Sequence, residues 1–271
     1  MNTIWRFAQA LRITPVALLC LAIFVQSVNA SPGSDGSRTS SLSAEGLNSA
    51  AVTPTLRTDD SWMDKHKTMA KAAQATHPGV VFLGDSITQG MNVELMHKMF
   101  GADSCNFGIR GDRTQQLLWR LQHGELEFAK PGPKSFVVLI GTNNLLRWKD
   151  IPASTTADTA AGVKANLEEI EKKFPEAKIL LLGILPRDEK PGTTTRRLVS
   201  ETNTMLAKLA DNKHVYFADI GSAMLASDGK ISSKVMPDFL HPSSDEGYQR
   251  MFAAVKKNLD NMMKPINQIK K

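Results

Sequence analysis

Five short apolar runs alternate with longer helical patterns along most of this chain, and this alternation restricts the fold more than any other feature. The apolar runs lie at 80–83, 104–107, 136–140, 179–182 and 215–217. Helical patterns lie between or after them, at 93–100, 114–121, 159–174, 195–210 and 245–262. Three of the runs are apolar without alternation, as expected for strands that are covered on both faces. The order predicts an α/β fold with a parallel, doubly wound sheet of about five strands.

The first thirty residues have the composition of an export signal. Arg6 and Arg12 give a positive start, residues 16–28 are uncharged and mostly apolar, and small residues surround a cleavage position after Ala30. We therefore expect a signal peptide at 1–30 and a secreted or periplasmic protein, with an uncleaved membrane anchor as the alternative. The apolar run is shorter than the roughly 20 residues of a bilayer span, and no later segment reaches that length. We therefore expect no stable membrane span after the signal peptide is removed.

Residues 31–60 are rich in Ser, Thr, Gly, Asp and Ala and have no periodicity, which predicts a flexible linker. The folded domain is predicted at 61–271, with Ser61 as the cap of its first helix. The net charge of the 271-residue chain is +6, and its basic residues are spread out except at the C-terminus. Without a basic stripe interleaved with aromatic residues, nucleic acid is not an expected partner.

Residues that follow the strands are the candidate functional residues, since ligands of a doubly wound sheet bind beyond the carboxyl ends of its strands. Ser86 follows Gly84 and Asp85 after the first run, where its hydroxyl either acts as a nucleophile or caps a helix. At their spacing, the Asp238 carboxylate can accept a hydrogen bond from Nδ1–H of His241 and leave Nε2 as a base. Such a pair also arises by chance on protein surfaces.

Two further segments could supply hydrogen-bond donors to an oxyanion. Residues 108–112 can turn the backbone N–H of Gly111 into a cleft, and Asn143 can add its side-chain amide. Taken alone, each segment is also explained as a structural turn. No H-E-x-x-H or C-x-x-C spacing occurs, so a zinc site is not expected. No phosphate-binding glycine pattern follows the first run, which argues against a nucleotide-binding protein.

Together these segments resemble the four motif blocks of the SGNH, or GDSL, family of serine esterases. The blocks match, in chain order, residues 81–87, 106–112, 141–144 and 238–241. Outside the blocks, Leu118-Trp119-Arg120-Leu121 and Leu185-Pro186-Arg187 resemble the intracellular platelet-activating factor acetylhydrolase branch of that family. The likeness extends from about Ser61 to the last helix and implies a flavodoxin-like three-layer sandwich.

The resemblance implies a carboxylic ester hydrolase that forms an acyl-enzyme on Ser86. His241 would be the general base and acid, and Asp238 would orient the imidazole. The N–H groups of Ser86 and Gly111 and the Asn143 side chain would form the oxyanion hole. No metal and no organic cofactor is implied. We expect a small-molecule or glycan substrate with a short acyl group, most of all acetyl; a catalytically inactive glycan-binding module and an O-acyltransferase are the alternatives.

Three features depart from the family pattern. Asn144 stands where the wider family has Asp, as it does in the acetylhydrolase branch, so no extra carboxylate is expected there. Arg110 stands where that branch has glycine, and its guanidinium either favours an anionic or sugar substrate or faces solvent. The export signal is the third departure, since the enzymes of that branch are intracellular.

Overall fold

The computed structural model describes residues 50–147 and 149–264. The predicted signal peptide at 1–30 and most of the predicted linker therefore lie outside the described residues. Among the helices that are described, none is long and apolar enough to cross a bilayer.

Five parallel strands form a single sheet in the described part of the chain. They are β1 (Val80–Gly84), β2 (Cys105–Gly108), β3 (Ser135–Leu139), β4 (Lys178–Leu182) and β5 (Val215–Ala218). Their order is β2-β1-β3-β4-β5, and all four neighbouring pairs are parallel. This is the flavodoxin-like order of a doubly wound sheet, so the predicted fold class is confirmed.

Helices cover both faces of the sheet. They are α1 (Asp60–Ala75), α2 (Ser86–Gln89), α3 (Val93–Phe100), α4 (Thr114–Arg120), α5 (Thr156–Lys173), α6 (Thr194–Leu206) and α7 (Glu246–Met263). One apolar core joins the sheet to α1, α4, α5 and α6, and the other joins it to α3 and α7. Alternate residues of β1 serve the two cores, with Val81 and Leu83 in the first and Val80 and Phe82 in the second. Every residue of β1 and β3 is buried, which is why both strands are apolar nearly throughout.

Residues 50–60 pack against the domain, although their composition predicts the end of a flexible linker. The Ala51 side chain is fully buried, and its carbonyl accepts a hydrogen bond from Thr114 Oγ1, 63 positions along the chain (2.8 Å). The Thr55 N–H donates to the Gln115 carbonyl (3.0 Å). Because both contacts join distant positions, local composition could not have revealed them.

The first helix also begins two residues earlier than predicted, at Asp60, because its cap is Asp59 and not Ser61. The Asp59 carboxylate, and not the Ser61 hydroxyl, accepts the capping hydrogen bond from the Trp62 N–H (3.0 Å). Ser61 Oγ instead donates to Asp59 Oδ1 (3.0 Å). Both residue types cap helices well, so the sequence alone did not distinguish them.

Two strand-terminal glycines let the chain turn tightly at the carboxyl edge of the sheet. A Cβ on Gly84 would lie 2.3 Å from the Leu139 carbonyl oxygen, and a Cβ on Gly108 would lie 2.2 Å from the Gln89 nitrogen. No side chain fits at either position. The short helix α2, which begins with Ser86, therefore sits directly on the ends of β1 and β2.

Candidate active site

Ser86 and His241 meet at the carboxyl edge of the sheet. Ser86 Oγ lies 2.9 Å from His241 Nε2, although the two residues are 155 positions apart in the chain. Ser86 stands at the start of α2, directly after the β1 end, and Asp85 Oδ1 caps that turn by accepting from the Ile87 N–H (3.0 Å). The hydroxyl and imidazole singled out by the sequence are thus within hydrogen-bond distance.

Asp238 organises the turn that carries His241. Its Oδ1 accepts from the backbone N–H of Leu240 (3.1 Å) and of His241 (2.7 Å), and its Oδ2 lies 2.6 Å from His241 Nδ1. Burial acts to raise the pKa of Asp238, but the hydrogen bonds from the His241 ring and from both backbone N–H groups outweigh it and lower that pKa. An ionised carboxylate only accepts, so Nδ1 carries the proton and Nε2 is left as an acceptor toward Ser86.

Gly111 and Asn143 lie on two loops that are joined to each other. Gly111 has φ +80°, a left-handed conformation that favours glycine, and its N–H donates to no acceptor among the described residues. Asn143 Nδ2 donates to the Asp112 carbonyl (2.9 Å) and lies 3.5 Å from Asp85 Oδ2, which is long for a hydrogen bond. The Asn143 amide is therefore fixed to the Gly111 loop and keeps donor capacity beside Asp85.

A buried set of polar side chains, here called the Arg120 network, lies behind this loop. It consists of Trp62, His66, Asp112, Arg120 and Glu125. Asp112 Oδ1 accepts from Trp62 Nε1 (2.6 Å), and Asp112 Oδ2 accepts from Arg120 Nε (2.7 Å). Arg120 also donates to Glu125, which contacts His66 Nδ1 (2.9 Å). All five residues are buried, and Arg120 pairs with both carboxylates of the network.

Arg120 ties three parts of the site together. Besides Asp112, its guanidinium donates to the Phe107 carbonyl (3.1 Å) and to the Gly84 carbonyl (3.2 Å). These carbonyls lie at the ends of β2 and β1. Burial acts to lower the pKa of Arg120, but the nearby carboxylates of Glu125 and Asp112 raise it, so the side chain stays charged. The ends of the two strands and the Gly111 loop are thus held to one cation.

Sequence reasoning missed Arg57 and the Arg120 network. Arg57 Nη1 donates to the Arg110 carbonyl (2.8 Å) and lies 3.6 Å from Asp112 Oδ1, yet the residue falls in the predicted linker. His66 lies within α1 and belongs to no motif block, so no local pattern singles it out. One signal was available, since Arg120 interrupts the apolar run of α4 and a buried arginine requires partners.

Asp85 is another ionisable residue to which the sequence alone gave no role. Burial raises its pKa to about 7, although the Ile87 N–H and the Arg187 guanidinium act to lower it. Asp112 adds to the upward shift by repulsion. The residue directly before Ser86 is therefore a carboxyl group that holds a proton far more readily than an exposed one.

A cleft of about 330 Å³ opens over Ser86. The side chains around it include Gln89, Arg110, His241, Ser244 and Tyr248. The Tyr248 hydroxyl donates to the Ile87 carbonyl (2.8 Å), and burial raises the pKa of Tyr248, so the phenol stays neutral. Ligand pockets start at about 300 Å³, so the cleft has room for a small ester.

One group of possible metal ligands occurs among the described residues. Ligand atoms of Glu171, Asp211 and His214 lie within 4.8 Å of one another. Asp211 Oδ1 already accepts from three backbone N–H groups, and Asp211 precedes β5, at the edge of the sheet opposite Ser86. The group is thus distant from the cleft, and the expectation that the active site uses no metal stays a prediction.

Comparison with known proteins shows the family to which this chain is similar. Residues 82–250 match the GDSL-like Lipase/Acylhydrolase family. Subunit alpha2 of platelet-activating factor acetylhydrolase IB from Rattus norvegicus is 38% identical over 185 residues, which cover 68% of this chain and 77% of that protein.

Two solved structures share the fold. A GDSL-like lipase from Bacteroides thetaiotaomicron aligns with a TM-score of 0.60 and 22% identity, over 73% of this chain and 98% of that one. An acetyl xylan esterase aligns with a TM-score of 0.54 and 20% identity, over 67% of this chain and 98% of that one. The protein is a carboxylic ester hydrolase. The chain belongs to the GDSL-like lipase/acylhydrolase family, as its four motif blocks predicted.

Proposed function

We propose that this protein hydrolyses short acyl esters, and acetyl esters above all, through an acyl-enzyme on Ser86. The observation that carries the proposal is the 2.9 Å contact between Ser86 Oγ and His241 Nε2. A serine hydroxyl is a weak nucleophile until an adjacent base accepts its proton, and the imidazole is in place to do so.

In the proposed reaction Ser86 Oγ attacks the ester carbonyl carbon while His241 Nε2 takes the hydroxyl proton. Asp238 stabilises the imidazolium that forms. The backbone N–H groups of Ser86 and Gly111 and the side-chain amide of Asn143 stabilise the oxyanion. His241 then gives the proton to the departing alcohol. Water repeats the sequence on the acyl-enzyme and releases the carboxylic acid and the free serine.

Three observations support a small acyl group. The cleft over Ser86 is only about 330 Å³. The rat relative is an acetylhydrolase by name, and one structural neighbour is an acetyl xylan esterase. The export signal expected at 1–30 further favours a secreted or periplasmic enzyme, so we propose an extracytoplasmic substrate such as an O-acetylated glycan or a small lipid.

The test is a series of 4-nitrophenyl esters from acetyl to decanoyl, run beside labelling with a serine-directed phosphonate. We expect the highest kcat/KM at acetyl, labelling that maps to Ser86, and no turnover by Ser86→Ala. Asn143→Ala should lower kcat by about 10²- to 10³-fold, the usual loss for one oxyanion donor. Ser200→Ala, an exposed serine on α6, is the matched control.

Two results would count against the proposal. A maximum at long chains would refute the short-acyl preference and leave the serine mechanism standing. Full turnover by Ser86→Ala, or phosphonate on another residue, would refute the mechanism itself.

A further inference from the structure

We infer that the cleft prefers esters that carry an anionic group close to the scissile bond, and that Arg110 binds this group. The inference rests on the proposed ester hydrolysis and adds the charge of the substrate to it. A carboxylate, a sulfate or a phosphate would satisfy the chemistry described below.

Arg110 is a free cation in the cleft that contains Ser86. Among the described residues that line this cleft, it alone carries a permanent charge. Within the described residues its guanidinium has neither an ion pair nor a hydrogen bond. The guanidinium groups of Arg57, Arg113, Arg120, Arg187 and Arg196, in contrast, all donate to carbonyl groups.

The backbone of Arg110 is fixed even though its side chain is exposed. Its N–H donates to Gln89 Oε1 (2.7 Å), and its carbonyl accepts from Arg57 Nη1 (2.8 Å). Gly111, the proposed oxyanion donor, is the next residue. The guanidinium is therefore attached at a defined point on the rim of the cleft, one residue before the proposed oxyanion donor.

The carboxylates of the site do not neutralise Arg110. Asp238 is bound to His241, and Asp112 is bound to Trp62 and Arg120. Asp85 is buried beneath Ser86. A guanidinium that keeps its five donors free can bind a carboxylate or phosphate through two parallel hydrogen bonds. A substrate anion would supply the partner that the protein does not.

The test compares matched charged and neutral esters. 4-Acetoxybenzoate and its methyl ester place the charge on the alcohol side, and mono-4-nitrophenyl succinate and its methyl ester place it on the acyl side. In Arg110→Gln the charged-to-neutral ratio of kcat/KM should fall about tenfold for the ester pair whose charge lies on the side that Arg110 binds. Arg110→Lys should retain part of the wild-type preference for the charged ester. Lys98→Gln, which removes an exposed charge on α3, should keep the wild-type ratio.

Salt gives a second readout. Raising the ionic strength from 0.1 M to 1 M shortens the screening length from about 10 Å to about 3 Å, so the wild-type preference should shrink and that of Arg110→Gln should not. Equal ratios in the wild type and Arg110→Gln for both ester pairs would overturn the inference.

A binding measurement separates this inference from the proposed function. If the wild type turns over none of the four esters, the proposed function fails. Calorimetric titration of the same esters into Ser86→Ala and into Ser86→Ala/Arg110→Gln then decides the inference. A charged ester that binds about tenfold more weakly to the double variant supports the anion site, and equal Kd values refute it.

Discussion

Asp238 shows how much of the site depends on one side chain. Its two oxygens hold the backbone of the turn and the imidazole of His241 at the same time. Phe239, inside that turn, has φ +57°, a left-handed conformation that costs an L-residue roughly 1–2 kcal/mol. The hydrogen bonds from the N–H groups of Leu240 and His241 to Asp238 offset this strain, so the carboxylate stabilises the geometry on which the imidazole depends.

Asp238→Asn separates these two roles. The amide oxygen can still accept from the backbone N–H groups, but the NH₂ group cannot accept from Nδ1–H of His241. The ring then favours the tautomer that carries its proton on Nε2 and no longer serves as a base. We expect kcat for 4-nitrophenyl acetate to fall by about 10⁴-fold with little loss of thermal stability.

Asp228→Asn, in an exposed turn where the carboxylate pairs with Lys230, is the matched control for this change. A loss of less than tenfold in Asp238→Asn would show that Asp238 does not set the tautomer of His241.

At the scale of elements, the Gly111 loop is supported by two helices that carry no proposed catalytic residue. Trp62 on α1 and Arg120 on α4 both hold the Asp112 carboxylate, and the Asp112 carbonyl holds Asn143. A change in either helix is therefore transmitted to the loop that presents Gly111. Trp62 and Arg120 are positioning residues, because they act through Asp112 and do not contact the cleft.

Trp62→Phe tests this connection with a small change. The substitution removes the 2.6 Å hydrogen bond to Asp112 and keeps an aromatic ring in the core. Because oxyanion donors act in the transition state, we expect kcat to fall by about 3- to 30-fold while KM changes little. Steady-state kinetics with 4-nitrophenyl acetate gives both constants.

Trp119→Phe is the control for the loss of indole bulk. Trp119 packs near Trp62, with ring centroids 5.5 Å apart, but makes no hydrogen bond to the Arg120 network. An equal drop in kcat in both variants would show that packing, and not the hydrogen bond to Asp112, is responsible.

The elements of the sheet were largely predictable from the sequence, whereas the contacts that support the site were not. Apolar runs predicted all five strands to within one residue at each end. The pattern is clearest in β1 and β3, because every residue of these two strands is buried. Ser86 and His241 were found because each follows a recognisable local pattern. The Trp62–Asp112 hydrogen bond spans 50 positions and the His66–Glu125 contact spans 59, and no local pattern encodes such pairings.

For the whole molecule, the buried Asp85 links folding stability to pH. Its pKa is about 7 in the folded state, against an ordinary value of 3.8. Between these values the folded protein holds a proton that the unfolded chain has released. The contribution of Asp85 to stability is therefore present in acid and is lost as pH rises from about 4 to 7.

Asp85→Asn should remove this dependence. The free energy of unfolding of the wild type minus that of Asp85→Asn should decrease between pH 4 and pH 8, by up to about 4 kcal/mol for a shift of this size. Urea denaturation of both proteins across this pH range measures the difference. Groups that titrate alike in the two proteins cancel when the two free energies of unfolding are subtracted. A difference that stays constant with pH would contradict a protonated Asp85.

The order in which the site residues occur along the chain has a consequence for biosynthesis. The proposed nucleophile and oxyanion donors all precede residue 144, but the imidazole that Ser86 requires comes 155 positions after it, beyond the last strand. A nascent or truncated polypeptide that stops after β5 would carry the Ser86 hydroxyl without the His241 imidazole that activates it. By the proposed mechanism, hydrolysis therefore requires the segment that follows β5 to have been made and folded onto the domain.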